Sequence, residues 1–160
     1  MQFQSQEDKD IFYMGLALKQ AQYAFEVDEV PVGAILVQDD RVIAKGHNQV
    51  ELLQDATAHA EMLCLTSAFS YFGSWKVPNM TLYCTLEPCA MCAGAIHSSR
   101  VKRLVWGAKD VRLGACGSFT DLFSLDHPMH NVEVTRGVLE EESAFLLKAF
   151  FKQKRDQCKN

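Results

Sequence analysis

The 160-residue sequence predicts an α/β domain in which helices cover a central mixed sheet. Three observations predict it. An amphipathic helical stripe opens the chain, a β-rich hairpin follows, and helix-forming and strand-forming segments then alternate. No repeat, low-complexity tract or Pro/Gly-rich linker interrupts this order, so residues 1–160 are expected to form one domain. Hydrophobic residues make up 48% and charged residues 22%, a globular balance that excludes disorder. A chain of this length buries a core without a disulfide framework.

From Glu7 to Glu26, Ile11, Met14, Leu18, Ala21 and Phe25 recur at helical spacing, with Phe12 and Leu16 beside them. Val30–Val37 (VPVGAILV) and Arg41–Gly46 (RVIAKG) are β-rich, and the Gln-Asp-Asp between them reads as a hairpin turn. Residues 48–57 form a polar loop, and His59–Phe72 has helix composition. Met80–Thr85 is a strand, and Glu87–Ser99 a short helix with Pro88 at its mouth. Arg103–Gly107 is a fourth strand, followed by a loop with a short apolar segment at Phe119–Leu125 and a fifth strand at Asn131–Thr135. The last helix, Leu139–Gln157, places Glu140, Glu141 and Glu142 in its first turn and Lys/Arg toward its end, which complements the helix dipole.

The net charge is −4. It divides unevenly, −6 over residues 1–80 and +2 over residues 81–160. The basic residues concentrate in Arg100, Lys102, Arg103, Lys109 and Arg112, then in Lys148, Lys152, Lys154, Arg155 and Lys159. Charge alone reads as two solvated surfaces, with a local positive face as the alternative. No stretch approaches ~18 consecutive apolar residues, and the N-terminus lacks a basic region followed by an apolar run. A cytoplasmic chain with no membrane span is expected. Of six cysteines, only Cys89 and Cys92 form a tight pair; Cys64 and Cys84 sit in apolar runs as small hydrophobes, and Cys116 and Cys158 have no evident partner.

Two motifs carry the chemistry: His59-Ala60-Glu61 inside TAHAE, and Pro88-Cys89-Ala90-Met91-Cys92 inside TLEPCAMC. Both fall where a helix begins. Cys89 and Cys92, three apart, project from one helix face, and the positive end of that helix favours thiolates. One His and two Cys make a set that suits zinc, and three protein ligands leave a fourth position for water, the mark of a catalytic site. Zinc lowers the pKa of its water from about 15.7 toward about 7. Glu61, two residues from His59, is placed to move that proton. C-x-x-C alone is ambiguous among a redox pair, half a zinc ribbon and chance. A redox pair has no use for an upstream H-x-E, and a ribbon needs a second C-x-x-C. Together, H-x-E and P-C-x-x-C are the signature of zinc nucleobase deaminases. Among the other histidines, His97 reads as a packed or capping residue, and His127 and His130 as members of a solvated loop. Met62, Phe69, Tyr71 and Phe72 read as core or subunit contacts.

Over nearly its whole length the chain resembles the bacterial tRNA-specific adenosine deaminases, members of the cytidine deaminase-like superfamily. The likeness runs from VPVGAILV through GHN, DATAHAE, TLYCTLEPCAMCAGAI and RLVWGAKD to GSFTDLF, VEVTRGVLEEE and FFKQKR. It implies a three-layer α/β/α domain around a five-stranded sheet, acting as a homodimer with one Zn2+ per subunit. It implies hydrolytic conversion of adenosine to inosine at the wobble position of a tRNA anticodon, typically of an arginine tRNA. By motif, His59, Cys89 and Cys92 would hold zinc, and Glu61 would shuttle protons as zinc-bound hydroxide attacks C6. Asn48 would bind the flipped adenine, and Asp110 would lie near the sugar. Lys109 and Arg112, with Phe150, Phe151, Lys152, Lys154 and Arg155 of the last helix, would lie against the anticodon stem-loop. The loop QVELLQDATAHAE departs from the family pattern, with Ala56 where relatives commonly have proline and with no Arg or Lys. Two alternatives stand beside this expectation. One is a guanine or cytosine/cytidine deaminase acting on a free base or nucleoside, and the other is a non-catalytic zinc-stabilised RNA-binding module.

Overall fold

The computed structural model describes residues 3–159. Helices α1 (Gln6–Glu26), α2 (Val50–Leu53), α3 (Ala60–Phe72), α4 (Ala90–Ser98) and α5 (Glu140–Gln157) alternate with strands β1 (Gly33–Gln38), β2 (Arg41–His47), β3 (Thr81–Leu86), β4 (Arg103–Ala108) and β5 (Glu133–Arg136). The strands form one sheet in the order β2-β1-β3-β4-β5. β1 pairs antiparallel with β2 and β3, while β3–β4 and β4–β5 are parallel. The mixed α/β class expected from the sequence is the class observed, in three layers.

Strand alternation builds the layers. Ala34 and Leu36 of β1, Leu82 and Cys84 of β3, and Leu104 and Trp106 of β4 face one side, where Ala60, Cys64, Leu65 and Ala68 of α3 and Ile96 of α4 complete a core. Ile35, Val37, Tyr83 and Val105 point the other way, onto Tyr13, Met14 and Ala17 of α1. Gly46 allows α3 to press against β2, because a Cβ there would collide with the Ala60 carbonyl. That contact fixes where α3 begins. Ser5 caps α1, its Oγ accepting from the Asp8 N–H at 3.0 Å. Asp10, nearly buried, then ties α1 to the sheet. It accepts two Arg103 bonds (2.7 and 2.6 Å) and one from the Tyr83 hydroxyl (2.9 Å), and Arg103 also donates to Thr135 on β5.

Several boundaries move for physical reasons. The hairpin turn is Asp39-Asp40 rather than Gln-Asp-Asp. Both aspartates have positive φ, 47° and 60°, and Gln38 stays paired with Arg41. A two-residue loop with both centres left-handed matches the strand twist. β1 starts at Gly33, after Pro31, which has no N–H to give a ladder. The polar loop 48–57 contains the four-residue α2. α4 starts at Ala90, not Glu87, because the Glu87 N–H is taken by the Ala108 carbonyl at 2.8 Å, which extends the β3–β4 ladder. The apolar segment 119–125 forms turns, with Phe119 and Leu125 exposed and Phe123 against His97. Among the described residues, no helix is long and apolar enough to cross a membrane.

Candidate active site

His59 and Cys89 are the N-caps of α3 and α4, both with extended backbone (φ −73°), and neither uses its side chain to cap the helix. Their carbonyls open the helices instead, accepting from Leu63 and Ala93. The side chains are left free to converge. The His59 Nδ1 lies 3.6 Å from both the Cys89 and Cys92 sulfurs, and the three donor atoms sit within 4.8 Å of one another. For a tetrahedral zinc with bonds near 2.0 and 2.3 Å, a nitrogen–sulfur edge is about 3.5 Å. The donor set and its spacing fit that ion.

The sequence placed Cys89 inside the helix; the structure makes it the N-cap, with Cys92 in the first turns of α4. The Cys89 thiol is held well below its ordinary value by a hydrogen bond from Cys92, reinforced by His59, against the effect of burial. Cys92 is pushed up by the same pairing and by burial. Its bond to Cys89 raises the His59 pKa, with burial opposing. Glu61 follows His59 in the first turn of α3 and is only 4% exposed. Burial pushes its carboxyl up to about 7, which puts it in reach of both protonation states near neutral pH.

His59, Glu61 and Cys89 line a cavity of about 370 Å³ together with Asn48, Lys109, Asp110 and Arg112, with Leu113 and Phe151 also on its wall; Cys92 is fully buried and lies outside that lining. A hollow of about 550 Å³ between α1 and α5 is larger but holds no His/Cys set, so chemistry rather than size marks the site. Eight residues singled out in the sequence therefore meet in one place: Asn48, His59, Glu61, Cys89, Lys109, Asp110, Arg112 and Phe151.

The last helix sends its residues to different surroundings. Phe150 is buried against Phe25 (ring centroids 5.6 Å apart), and its neighbour Phe151 reaches the cavity instead. Lys154 pairs with Asp28 and lies over the Phe150 ring, Lys152 borders a separate hollow with Asp156, and Arg155 is exposed away from the cavity lining. The histidines of the 120s loop are engaged: His127 stacks on buried His97 (4.5 Å), and the His130 Nε2 lies 2.7 Å from the Val101 carbonyl.

Two carboxylates in the cavity wall, Glu29 in DEVPVG and Glu87 in TLEPC, had no role from sequence. Glu29, 1% exposed, accepts the N–H groups of Leu52 (2.6 Å) and Glu51 (3.3 Å), and the Asn48 side-chain nitrogen lies 3.5 Å away. It thereby satisfies the open end of α2, whose N-cap Gln49 makes no side-chain bond. Glu87, also 1% exposed, accepts the N–H groups of Asp110, Cys116 and Ser118, each at 3.0 Å, and the Ser118 hydroxyl at 2.5 Å. Asp110 folds its own loop, its Oδ1 accepting from Arg112 and Leu113.

A His/Cys/Cys donor set with a buried carboxyl group of raised pKa, at the helix starts of a mixed five-stranded sheet, defines a hydrolytic deaminase of cytidine deaminase-like architecture. A family profile described as MafB19-like deaminase matches residues 7–155. The tRNA-specific adenosine deaminase of Bacillus subtilis (strain 168) is 45% identical over 151 residues, 94% of each chain. A solved structure from studies of A-to-I editing by tRNA:A34 deaminases at the wobble position of transfer RNA superposes with a TM-score of 0.81 at 46% identity, covering 85% of this chain and 99% of that one. The guanine deaminase from Nitrosomonas europaea shares the fold, with a TM-score of 0.77 at 24% identity over 94% of this chain and 86% of its own. The chain belongs to the deaminase family that includes the tRNA-specific adenosine deaminases.

Proposed function

We propose that this chain converts adenosine to inosine at the wobble position of a tRNA anticodon, consuming water and releasing ammonia. The observation that carries this beyond the family is the composition of one cavity. Glu61, His59 and Cys89 line it together with Asn48 and Asp110, and Lys109, Arg112 and Phe151 lie on the same wall. Cationic and aromatic groups beside a deaminating centre suit an extruded base with its phosphates and stacked neighbours alongside.

His59 through Nδ1, with Cys89 and Cys92, would hold one zinc ion, which when bound acts as a Lewis acid and lowers the pKa of water. Glu61 takes the proton from the attacking water and hands it to the amine on C6, which leaves as ammonia. A carboxyl group raised to about 7 serves both transfers near neutral pH. Asn48 contacts the base, Asp110 lies by the sugar, and Lys109 and Arg112 contact phosphate. Residues 1–160 act as one deaminase domain in the cytoplasm, as a homodimer, on an arginine tRNA.

The test is inosine formation by the zinc-loaded protein on an arginine tRNA anticodon stem-loop with adenosine at the wobble position, beside free guanine, cytosine and cytidine. Inosine from the stem-loop with no ammonia from the free bases is expected. Ammonia from a free base without inosine would move the protein to the free-base deaminases.

A further inference from the structure

We infer that Glu87 is a positioning residue of the deamination: it indexes the 110–118 loop, which carries Asp110 and Arg112, to the turn that carries Cys89. The inference rests on the function proposed above and extends it to a residue outside the proposed catalytic and binding set. Both Glu87 oxygens are fully used. One accepts the Cys116 and Ser118 N–H groups, and the other accepts the Asp110 N–H and the Ser118 hydroxyl. No Lys or Arg side chain bonds to it, so the loop itself neutralises a buried carboxylate with four aligned donors.

The backbone around it carries the same registration. The Ala115 N–H donates to the Pro88 carbonyl at 2.7 Å, and Gly114 bridges Cys89 in an antiparallel pair. Gly114 runs so close to Glu87 that a Cβ there would overlap the carboxyl group. Residue 87 is thus bound to the loop through its side chain, while residues 88 and 89 are bound through the main chain. The metal-ligand turn and the substrate-facing loop form one unit, although they are separated in sequence by α4 and β4. A loop released from Glu87 leaves the ligands in place and moves Asp110 and Arg112 relative to them. Displacements of about 1 Å cost about 10²-fold in rate when the reacting groups are misaligned.

The experiment compares zinc-loaded native enzyme with Glu87→Gln, Ser118→Ala and Ser118→Thr on the anticodon stem-loop, with zinc content and Tm measured on each. Ser118 is exposed and lies outside the proposed catalytic and binding set, so its variants keep the test usable if Glu87→Gln does not fold. Glu87→Gln is expected to hold one zinc per chain and lose kcat by about 10²-fold. Ser118→Ala is expected to lose kcat several-fold, and Ser118→Thr, which keeps the hydroxyl, to regain it. A Ser118→Ala enzyme with native kcat, or a Glu87→Gln enzyme with lower Tm but native kcat, would overturn the inference and leave Glu87 a structural residue. A native enzyme that makes no inosine from the stem-loop would instead overturn the proposed function.

Discussion

Two loops close the cavity, and each is fastened by one buried carboxylate in a different way. The loop before His59 rests on Glu29, which takes two backbone N–H groups and lies at the limit of contact with Asn48. The loop after β4 rests on Glu87, which takes three N–H groups and a hydroxyl and is backed by main-chain bonds to Pro88 and Cys89. Burial differs at the loop centres. Residues 51–57 are all exposed, whereas residues 114–116 are buried. Backbone donors away from water need partners, and a carboxylate can serve several where no strand or helix is present. The second loop is a fixed wall, and the first is a softer one.

The largest effect is expected in the cavity both loops border, at Glu61. Glu61→Ala should lower single-turnover inosine formation by at least about 10³-fold with zinc content unchanged. An active variant would make the loops a container without the proposed chemistry. Cys89→Ala should instead lose the metal, as read by zinc analysis. A third buried carboxylate sharpens the comparison because it has a cation partner. Removing Asp10 strands Arg103, and Asp10→Ala should cost about 3–5 kcal/mol in urea denaturation. Burial opposes the Asp10 charge, but hydrogen bonds from Arg103, Gln6 and Tyr83 outweigh it and hold its pKa below the ordinary 3.8. Its contribution is therefore present above pH 3.8 and is lost as pH falls through the depressed value, so Asp10→Ala should flatten the acid limb of the stability curve.

The comparison itself is tested by truncating each clasp. Glu87→Ala, which leaves four donors unpaired, should cost about 3 kcal/mol, and Glu29→Ala about 1 kcal/mol. Equal losses would mean that the loops are held alike. The smallest effect belongs to the rim. Replacing Lys109 and Arg112 with Ala should reduce the salt slope of stem-loop binding by about two, because each phosphate contact contributes close to one. An unchanged slope would take this wall off the RNA path.

What was legible in the sequence has a common cause. The strands are short β-rich runs and the hairpin has turn residues, so composition and turn chemistry located them. His59, Glu61, Cys89 and Cys92 stood out because their residue types are rare in that spacing. Glu29 and Glu87 escaped because their function is to accept backbone N–H groups, which every non-proline residue offers and no motif records. α2 escaped because four polar-flanked residues carry no period, and a carboxylate 21 positions upstream satisfies its free end. Phe150 and Phe151 are adjacent on one helix, and sequence gave no means of telling which faces Phe25 and which faces the cavity.

The grip on the second loop is a grip on its main chain, Ser118 excepted. Any residue but proline offers the N–H that Glu87 needs at 110 and 116, while the side chains at 109, 111, 112 and 113 take no part in the fastening. Fastening and contact are thus written in different letters. Mutation can rewrite what the loop presents to a nucleic acid without unpicking the loop, and a lineage can explore new partners while its reaction centre stays as it was.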